Sequence, residues 1–474
     1  MTFTKNELRL AMNKVNRIHF VGIGGVGMSP IAELFYDYGF EVAGSDLKES
    51  ITTKALANIG IKIYIGHSAE NILGADVLVV SSAIAKDNPE VLAATKSGVT
   101  IIQRAEMLAE LMRFKYGVAI AGTHGKTTTT SLVARILSVG GLDPTYVIGG
   151  ELISSANNAK LGESRYVVAE ADESDASFLH LYPILSVITN IDEDHMNTYN
   201  SSVEALHSTF VEFIHNLPFY GKAIVCIEDP NIKSILPKIH RQVVKYGFSD
   251  DADFQAVDIK VQGLKTKFRL IRANKNDLDI TLNMPGSHNV LNSLAAIAVA
   301  TELEIDDTSI INSLKTFNGI GRRFQQYGNF MVNNKKVCLV DDYGHHPKEL
   351  EATLKTVRQC YPDKRIMLVF QPHRYSRTKD LFFDFVKILS QVDCLILLPV
   401  YSAGEKKIPG ASSKSLAKAI ISTGKTIPIL LENLDEVIST CSRILENEDV
   451  ILISGAGNIS SVAPQMATTW DKIS

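Results

Sequence analysis

A strand, glycine turn and helix at residues 116–130 form the segment that most constrains the fold of this chain. The apolar run Val118–Ala121 predicts a buried strand, and the turn Gly122–Thr127 leads from it into a predicted helix. Glycines let the backbone N–H groups of such a turn point into one concavity, where the helix N-terminus adds positive potential. The segment therefore predicts a phosphate-binding loop.

Two side chains of this loop predict how it would hold a nucleotide. Lys126 is placed to reach the β- and γ-phosphates, and the Thr127 hydroxyl is placed to bind Mg²⁺. The spacing departs from the usual pattern, because Ile120 stands where the first glycine is expected and the glycine is Gly122. The alternative is a strand-to-helix turn that happens to carry a lysine, but Gly-Lys-Thr at a strand end favours the phosphate loop.

The length and charge of the chain exclude several classes of protein. A chain of 474 residues is too long for one hydrophobic core, so we expect two or three domains. A net charge of −4 gives no indication of a nucleic-acid partner, and no apolar run is long enough to span a membrane. The polar start, Met1–Arg9, does not resemble a signal peptide, and scattered cysteines fit a reducing compartment. We therefore expect a cytoplasmic protein.

Strand and helix patterns alternate through most of the sequence, which predicts α/β units with parallel sheets. In the first unit, the predicted strands are Arg17–Val21, Glu41–Ser45, Lys62–Ile65, Val77–Ser81 and Thr100–Gln103. A second unit begins with the phosphate loop. Its later part, Phe254–Leu282, has three closely spaced strands without helices, which predicts antiparallel pairing. Alternation returns in a third unit from Gly321 onwards.

A second glycine motif, Gly22–Gly27, follows the first predicted strand and opens a helix. Asp46 ends the next strand. This pattern predicts a diphosphate at the helix N-terminus and a ribose hydroxyl at Asp46. NAD, FAD and UDP-sugars share both groups, so the motif by itself leaves a nicotinamide dehydrogenase open. Tight packing of strand on helix, with no ligand, is a further alternative.

Two other strand ends in the second unit carry polar side chains. The first contains four carboxylates, Glu170, Asp172, Glu173 and Asp175. Their density favours a Mg²⁺ site that uses one or two of them, with a solvated acidic loop as the alternative. The second, residues 189–195, has acidic residues before His195. A lone histidine is usually structural, but this acidic setting favours a metal ligand.

The third unit has two strand ends with charged or aromatic side chains, Asp341–Pro347 and Gln371–Thr378. Arg374 and Arg377 in the second are spaced to clamp a carboxylate or phosphate through bidentate contacts. A surface turn with salt bridges is the alternative. Between the second and third units, Gly321–Phe324 adds two more arginines.

Taken together, these segments resemble the Mur ligase family, whose ATP-dependent enzymes add amino acids during peptidoglycan synthesis. The resemblance extends over nearly the whole chain, and it is carried by Gly22–Gly27, Gly122–Thr130, Glu170–Leu179, Thr189–Tyr199, Pro285–Asn289, Gly321–Phe324, Asp341–Pro347, Gln371–Thr378 and Gly455–Ile459. It implies an α/β fold of three domains. These are a Rossmann-like UDP-substrate domain at 1–108, a P-loop-type central ATPase domain with antiparallel strands at 109–320, and a Rossmann-like amino-acid domain at 321–474.

The resemblance also implies a reaction and its partners. In this family the substrate carboxylate attacks the γ-phosphate of ATP to give an acyl phosphate, and an amine then displaces phosphate from it. ATP and Mg²⁺ are the implied cofactors, with Mn²⁺ as an alternative ion. UDP-N-acetylmuramate, L-alanine and ATP are the implied small-molecule partners of a monomer or homodimer in cell-wall synthesis, and hence in cell shape and division.

Matching positions imply three binding sites. The implied ATP-binding residues are Gly122, Thr123, His124, Gly125, Lys126, Thr127, Thr128, Asn289, Arg322 and Asp342. The implied UDP-substrate residues are Gly22, Gly24, Gly25, Val26, Gly27, Asp46, His67, Ser81 and Arg104. The implied amino-acid residues are Tyr343, His345, Arg374 and Arg377, and the implied metal ligands are Thr127, Glu170 and His195. Lys126, His195 and Arg374 are the implied catalytic residues.

One absence within the sequence favours a branch of the family. No lysine occurs from Met196 to Pro218, where several branches carry a carbamoylated lysine. This favours the branch that adds L-alanine to UDP-N-acetylmuramate. The murein peptide ligase branch of cell-wall recycling is the nearest alternative, since it shares the UDP and ATP sites. A dehydrogenase would leave the phosphate loop unexplained, and a nucleotide-binding switch would not need Arg374 and Arg377.

Overall fold

The computed structural model describes Met12 and residues 14–81, 83–149, 158–273 and 275–473. The polar start of the sequence lies outside these residues. The described residues form sheets of five, ten and seven strands, and the chain divides into two compact units. The first unit runs to Ile259 and also contains Lys267–Leu282 and Asn289–Phe317, and the second contains Lys260–Thr266, Asn283–His288 and the residues from Asn318. The domain limits at 108 and 320 stay predictions.

The N-terminal sheet is parallel. Its strands are β1 Arg17–Val21, β2 Glu41–Asp46, β3 Lys62–Ile65, β4 Val77–Val80 and β5 Thr100–Gln103. Its helices are α1 Ser29–Asp37, α2 Ile51–Asn58, α3 Pro89–Ser97 and α4 Arg104–Phe114. The spatial order β3-β2-β1-β4-β5 is Rossmann-like. The five strand predictions are confirmed to within one residue at each end.

The central sheet has the spatial order 15-14-13-12-11-10-6-9-7-8 in strand numbers. Its strands are β6 Tyr116–Ala121, β7 Thr145–Val147, β8 Ala159–Lys160, β9 Tyr166–Glu170, β10 Leu185–Ile188, β11 Lys222–Cys226, β12 Gln242–Gly247, β13 Phe254–Gln262, β14 Lys265–Arg272 and β15 Leu278–Leu282. Its helices are α5 Lys126–Val139, α6 Val203–His215, α7 Pro230–Ile235, α8 Ser287–Glu302 and α9 Asp307–Lys315.

Strands β13 to β15 are the part of this sheet that was predicted to be antiparallel, and short connections join them. Only two residues join β13 to β14, and such a connection fits antiparallel neighbours, because parallel strands need a long crossover. Sequence patterns did not predict β12, which pairs in parallel with both β11 and β13 and so links the antiparallel strands to the parallel ones.

The C-terminal sheet has the spatial order 20-19-18-21-17-16-22 in strand numbers. Its strands are β16 Gln325–Val332, β17 Lys335–Asp342, β18 Ile366–Phe370, β19 Cys394–Leu397, β20 Ile429–Leu430, β21 Val450–Ser454 and β22 Asp471–Ile473. Its helices are α10 Pro347–Cys360, α11 Tyr375–Asp380, α12 Phe382–Leu389, α13 Ser413–Ser422, α14 Glu436–Ile444 and α15 Val462–Thr469.

Two neighbouring strands at one side of the C-terminal sheet, β16 and β22, were not predicted. β16 is antiparallel to β17 and β22 is antiparallel to β16. Polar residues of β16 lie in its first part, at Gln325, Gln326 and Asn329, and its register shifts between Gln326 and Gly328, so the alternation that identifies a strand is interrupted. The parallel strands are buried on both faces: in β21, Ile451 and Ile453 belong to one apolar cluster, and Val450 and Leu452 belong to the other.

None of the helices in the described ranges combines the length and the apolar character that crossing a membrane requires.

An ion pair between a buried arginine and a partly exposed aspartate joins the antiparallel strands to a helix. Arg272 on β14 donates from Nη1 to Asp307 Oδ1 at 2.7 Å and from Nη2 to Oδ2 at 2.8 Å. Its Nε also donates to the carbonyl oxygen of Asn276 at 3.0 Å. Because the Arg272 side chain is only 1% exposed, losing the charge of Asp307 would leave a buried cation without its counter-ion.

We expect Asp307→Asn to lower the free energy of unfolding by about 2 kcal/mol, since one charged acceptor is lost from a buried arginine. Denaturant unfolding of the full chain is the measurement. Asp258→Asn is the control, because Asp258 pairs with Arg269 on the same strands but both side chains are at least half exposed. Its cost should stay below about 1 kcal/mol. An equal loss of unfolding free energy in the two variants would contradict the idea that burial of Arg272 makes its counter-ion costly to remove.

Candidate active site

The order of the central strands brings three polar segments together. β6 lies between β9 and β10 and is parallel to both. The carboxyl ends of these strands continue into the glycine turn, the acidic segment 170–175 and the segment 189–195. Ligands of open α/β sheets bind at this edge. The sheet thus assembles at one place the segments that were predicted from separate stretches of the sequence.

The turn between β6 and α5 requires glycine at two positions. Gly122 has φ +126° and Gly125 has φ +83°, both in the region that favours glycine. A Cβ atom on Gly122 would lie 2.1 Å from Thr189 Oγ1, and one on Gly125 would lie 2.6 Å from Asn292 Oδ1. The backbone can therefore make this turn only without side chains at these two residues.

Segment 189–195 holds the turn from the neighbouring strand. The Asn190 side chain accepts a hydrogen bond from His124 N at 2.8 Å and donates one to His124 O at 2.9 Å. Thr189 Oγ1 donates to the same carbonyl at 2.6 Å, and Thr123 Oγ1 accepts from Asp192 N at 2.8 Å. These contacts show that the polar residues after β10 fix the backbone of the predicted phosphate loop.

Lys126 lies in the concavity of the turn. Its Nζ donates to the carbonyl oxygens of Gly122 at 2.6 Å and Thr123 at 3.2 Å, and it forms an ion pair of 2.7 Å with Glu173. Burial lowers the pKa of Lys126, but the nearby carboxylates, Glu173 foremost, outweigh burial and raise the pKa above its usual value. The lysine is therefore charged at neutral pH, and its three N–H groups donate to three protein oxygens in this structure.

Three of the four carboxylates of segment 170–175 have different partners in this structure. Glu173 pairs with Lys126, and Asp172 forms an ion pair of 3.0 Å with Arg104. Burial raises the pKa of Asp172, but the two cations outweigh burial and lower it. Glu170 accepts a hydrogen bond from the backbone N–H of Gly149 at 2.6 Å. The pairing of Glu173 with the lysine could not be seen in the sequence, where all four acids look equivalent.

The three predicted metal ligands come from the three adjacent strand ends. Thr127 is in the first turn of α5 and is buried, and Glu170 ends β9. His195 follows β10 with φ +55°, and its Nε2 lies 3.5 Å from Asp194 Oδ2. A hydroxyl and a carboxylate are the hard oxygen donors that Mg²⁺ prefers, so Thr127 and Glu170 fit this ion.

A cavity of about 370 Å³ connects the two glycine loops. Arg104, Lys126, Glu170 and Asp172 line it together with Gly22, Gly25, Val26, Gly27 and Ser81. Six of the nine residues predicted for the UDP-substrate thus line the same space as the lysine of the phosphate loop. Gly24, Asp46 and His67 are not among the residues that line it.

Asp46 and His67 lie within a hydrogen-bonded layer of the N-terminal sheet. Asp46 Oδ2 accepts from Gly24 N at 2.9 Å, so the carboxylate fixes the first glycine loop in this structure. His67 Nδ1 lies 3.0 Å from Ser45 Oγ. The contact of Asp46 with a ribose and that of His67 with the UDP-substrate stay predictions.

Helix α8 supports the phosphate loop from the side. Asn292 Oδ1 accepts from Thr129 Oγ1 at 3.2 Å, and its Nδ2 donates to Asn289 Oδ1 at 3.3 Å. Both asparagines are buried. The sequence indicated Asn289 for ATP but not Asn292, although Asn292 is one helical turn further along the same face.

In the second compact unit, Arg322 links the start of the C-terminal region to its sheet. Its Nε donates to Asp341 Oδ2 at 3.2 Å and its Nη2 to Gly455 O at 2.5 Å. Asp342 accepts from the N–H groups of Phe324 and Gly344, both at 2.8 Å. Burial raises the pKa of Asp341 to about 6. Arg322 and Asp342 thus fix backbone in this structure.

The residues that were predicted to bind the amino-acid substrate form part of an aromatic cluster in the second compact unit. The His345 ring lies 5.2 Å from the Tyr343 ring and 5.5 Å from the His373 ring, which stacks on Tyr401. Arg377 Nη1 lies 3.4 Å from His373 Nδ1. The sequence did not indicate Tyr401, because it lies after the next strand and reaches the cluster only through the fold.

The two arginines differ in their surroundings. Arg377 is 8% exposed, whereas Arg374 is exposed and has φ +69° just before α11. Burial, helped by the neighbouring arginines, lowers the pKa of His373 to about 3. Burial and Arg377 lower the pKa of His345 to about 4. Both histidines are therefore neutral at pH 7, so the fixed positive charge of this cluster belongs to the arginines.

Three models of one protein family match the chain. "Mur ligase family, catalytic domain" matches residues 17–116, "Mur ligase middle domain" matches 120–300, and "Mur ligase, glutamate ligase domain" matches 322–457. The matches follow one another and together cover most of the sequence.

Solved structures extend this similarity to nearly the whole chain. The UDP-N-acetylmuramate-alanine ligase of Thermotoga maritima is 30% identical, with a TM-score of 0.82 over 96% of this chain and 98% of that one. A murein peptide ligase of Psychrobacter arcticus is 23% identical, with a TM-score of 0.71 over 96% and 98%. The UDP-N-acetylmuramate:L-alanyl-γ-D-glutamyl-meso-diaminopimelate ligase of Neisseria meningitidis is 28% identical, with a TM-score of 0.61 over 65% and 100%.

We expect Asn190→Asp to weaken the binding of a nucleoside triphosphate about tenfold, because a carboxylate would face the His124 carbonyl where an N–H group now donates to it. Calorimetric titration with the triphosphate is the measurement. Asn433→Asp, at an exposed asparagine of the second unit, should leave the affinity unchanged. Unchanged affinity in Asn190→Asp would show that the loop does not depend on this clamp.

Proposed function

The chain belongs to the Mur ligase family of ATP-dependent ligases, and we propose that it joins L-alanine to the carboxylate of UDP-N-acetylmuramate. One observation carries the proposal: a single cavity is lined by the N-terminal glycine loop, Arg104, Lys126 and Glu170. A substrate whose diphosphate lies on the glycine loop would extend its carboxylate towards a nucleotide on the phosphate loop.

The proposed reaction has two steps. An oxygen of the muramate carboxylate attacks the γ-phosphorus of ATP, and the bond to the β-phosphate oxygen breaks, which gives ADP and an acyl phosphate. The neutral amine of alanine then attacks the acyl carbon, and phosphate leaves as the C–N bond forms and the nitrogen loses a proton. Holding the amine against a short-lived acyl phosphate depends on proximity and exclusion of water.

Charged groups of the first compact unit, which contains residues of both the N-terminal and the central sheet, suit the phosphoryl transfer. Lys126 supplies a positive charge to the phosphates, and its pairing with Glu173 keeps it protonated. Arg104 supplies a second cation on the side of the substrate. Thr127 and Glu170 would hold Mg²⁺, which neutralises phosphate charge when it is bound.

Groups of the second compact unit, among the residues from Asn318 onwards, suit the recognition of an amino acid. A guanidinium offers parallel donors that fix the direction of a carboxylate as well as its charge. Arg377 is buried beside neutral His373 and His345, so its charge is only weakly screened. We assign the carboxylate of alanine to Arg377 and Arg374, with Tyr343 and His345 beside them.

The second candidate is the murein peptide ligase activity, which the relative from Neisseria meningitidis supports at 28% identity. Its name gives a tripeptide as the acceptor of UDP-N-acetylmuramate. The higher identity and TM-score of the Thermotoga maritima enzyme favour alanine. Phosphate release from ATP with UDP-N-acetylmuramate separates the two. We expect turnover with L-alanine and none with the tripeptide, and the opposite result would assign the protein to the peptide ligases.

Lys126→Ala should lower kcat at least about 100-fold, because charge on the transferred phosphoryl group loses its fixed cation. Binding of UDP-N-acetylmuramate, measured by calorimetry, should hardly change. Lys222→Ala is the matched control, since Lys222 also forms a 2.6 Å pair with a glutamate, Glu302, but lies outside the site. Lost UDP-substrate affinity in Lys126→Ala alone would contradict the assignment of the two sites.

Arg377→Ala should raise the KM for alanine about tenfold or more, and Arg374→Lys should raise it less, because it keeps the charge and loses the fork of donors. The KM values for ATP and UDP-N-acetylmuramate should change little. Arg358→Lys, which alters a 2.6 Å pair with Asp393 in the same unit, is the control. Normal alanine kinetics in both variants would mean that the arginines belong to a salt-bridge cluster only.

A further inference from the structure

A fully buried carboxylate, Glu90, lies close to the residues that we assign to the UDP-substrate. It is the second residue of α3 and has no exposed surface. It contacts Ser45, which precedes Asp46 on β2, and it lies 3.5 Å from His67. Buried carboxylates are rare unless their charge has a function or a full set of partners.

One oxygen of Glu90 is held by donors of the segment after β3. Oε1 accepts from Asn71 Nδ2 at 2.6 Å and from Ser68 N at 3.4 Å. The backbone N–H of Ser68 can only donate, and the Asn71 amide is held in its orientation because Nδ2 also donates to the carbonyl oxygen of Gly66 at 3.1 Å. This fixes the orientation of the carboxylate and leaves Oε2 for the other side.

The second oxygen of Glu90, Oε2, determines which atoms donate and which accept in the hydrogen bonds that lead through Ser45 to His67. Oε2 accepts from Ser45 Oγ at 2.6 Å, with His19 Nε2 at 3.5 Å. Burial would raise the pKa of Glu90, but the nearby His19 ring and the hydrogen bonds from Ser45 and Asn71 lower it to about 2. An ionised carboxylate only accepts, so the single proton of the Ser45 hydroxyl is committed to it.

The state of His67 follows from this commitment. Its Nδ1 lies 3.0 Å from Ser45 Oγ, which can now only accept. The neutral ring must therefore carry its proton on Nδ1, which leaves the lone pair on Nε2.

We propose that Glu90 is a positioning residue, which acts through Ser45 to hold His67 in the Nδ1–H tautomer. Nε2 of His67 then accepts a hydrogen bond from an N–H or O–H group of the bound nucleoside. This inference rests on the proposed function, which assigns His67 to the UDP-substrate. Uracil and ribose both offer such donors, so the buried carboxylate contributes to selection of the substrate without touching it.

Glu90→Gln exchanges the donor and acceptor roles in the hydrogen bonds that lead through Ser45 to His67. The shape of the side chain at position 90 hardly changes. The donors Asn71 and Ser68 require the amide oxygen on their side, so the new NH₂ group faces Ser45. The Ser45 hydroxyl then accepts from it and donates to His67 Nδ1, which moves the ring proton to Nε2. Nitrogen-15 chemical shifts of the histidine ring at pH 8.5 distinguish the two tautomers. We expect Nδ1–H in the wild-type protein and Nε2–H in Glu90→Gln.

Ser45→Ala provides a second variant in case Glu90→Gln does not fold. It removes the 3.0 Å contact of His67 Nδ1 and leaves only Glu90 Oε2 at 3.5 Å, at the limit of a hydrogen bond, so we expect the Nδ1–H form to give way to a mixture of both neutral tautomers. A purely structural role of Glu90 would give no tautomer change in either variant.

Binding measurements connect the tautomer to the substrate. Glu90→Gln should raise the KM for UDP-N-acetylmuramate about tenfold, similar to His67→Ala, with little change in kcat or in the KM for alanine. Glu41→Gln, at an exposed acid at the amino end of β2, is the matched control and should behave as the wild type.

Two results would overturn the proposal. One is an Nε2–H tautomer in the wild-type protein. The other is a normal KM for the UDP-substrate in Glu90→Gln when His67→Ala raises it. Failure of the proposed function is recognised separately, as a wild-type protein that has the expected tautomer but binds no UDP-N-acetylmuramate.

Discussion

The turn between β6 and α5 is the constraint on which the rest of the active site depends. It can exist only without side chains at Gly122 and Gly125, because Thr189 and Asn292 already occupy the space. Ala121 pairs with Ile188 in the sheet, so Gly122 and Thr189 leave the sheet side by side. The register between these two strands therefore decides whether the polar residues after β10 can hold the turn and whether Lys126 lies in its concavity.

The distribution of charge follows from that placement. Two cations line the cavity, and each has an acidic partner from the segment after β9: Glu173 for Lys126 and Asp172 for Arg104. A cluster of acids beside a phosphate loop thus serves in part to balance the lysine and arginine. Glu170 is bound by a backbone N–H group, and it is the carboxylate of this segment that we assign to the metal.

Buried carboxylates in other parts of the chain also hold neighbouring groups in place through hydrogen bonds. Asp342 accepts from the backbone N–H groups of Phe324 and Gly344 near Arg322, and the Glu90 carboxylate orders the hydrogen bonds around His67. In each case a buried charge is retained because several donors satisfy it, and removing those donors would be costly. The residues that position a site can therefore be as buried as the hydrophobic core.

The sequence by itself determined the α/β class, the five strands of the N-terminal sheet, the glycine turn after β6 and the polar strand ends beside it. These features depend on local patterns, namely apolar runs, glycine turns and charged strand ends. Tertiary structure alone decided which acid pairs with Lys126, that β12, β16 and β22 complete their sheets, and that Tyr401 joins the histidine cluster. It also separated Arg374, which is exposed, from Arg377, which is buried. The reason is that pairing between residues distant in the chain depends on strand order and register, and neither is recorded in the local pattern of a single sequence.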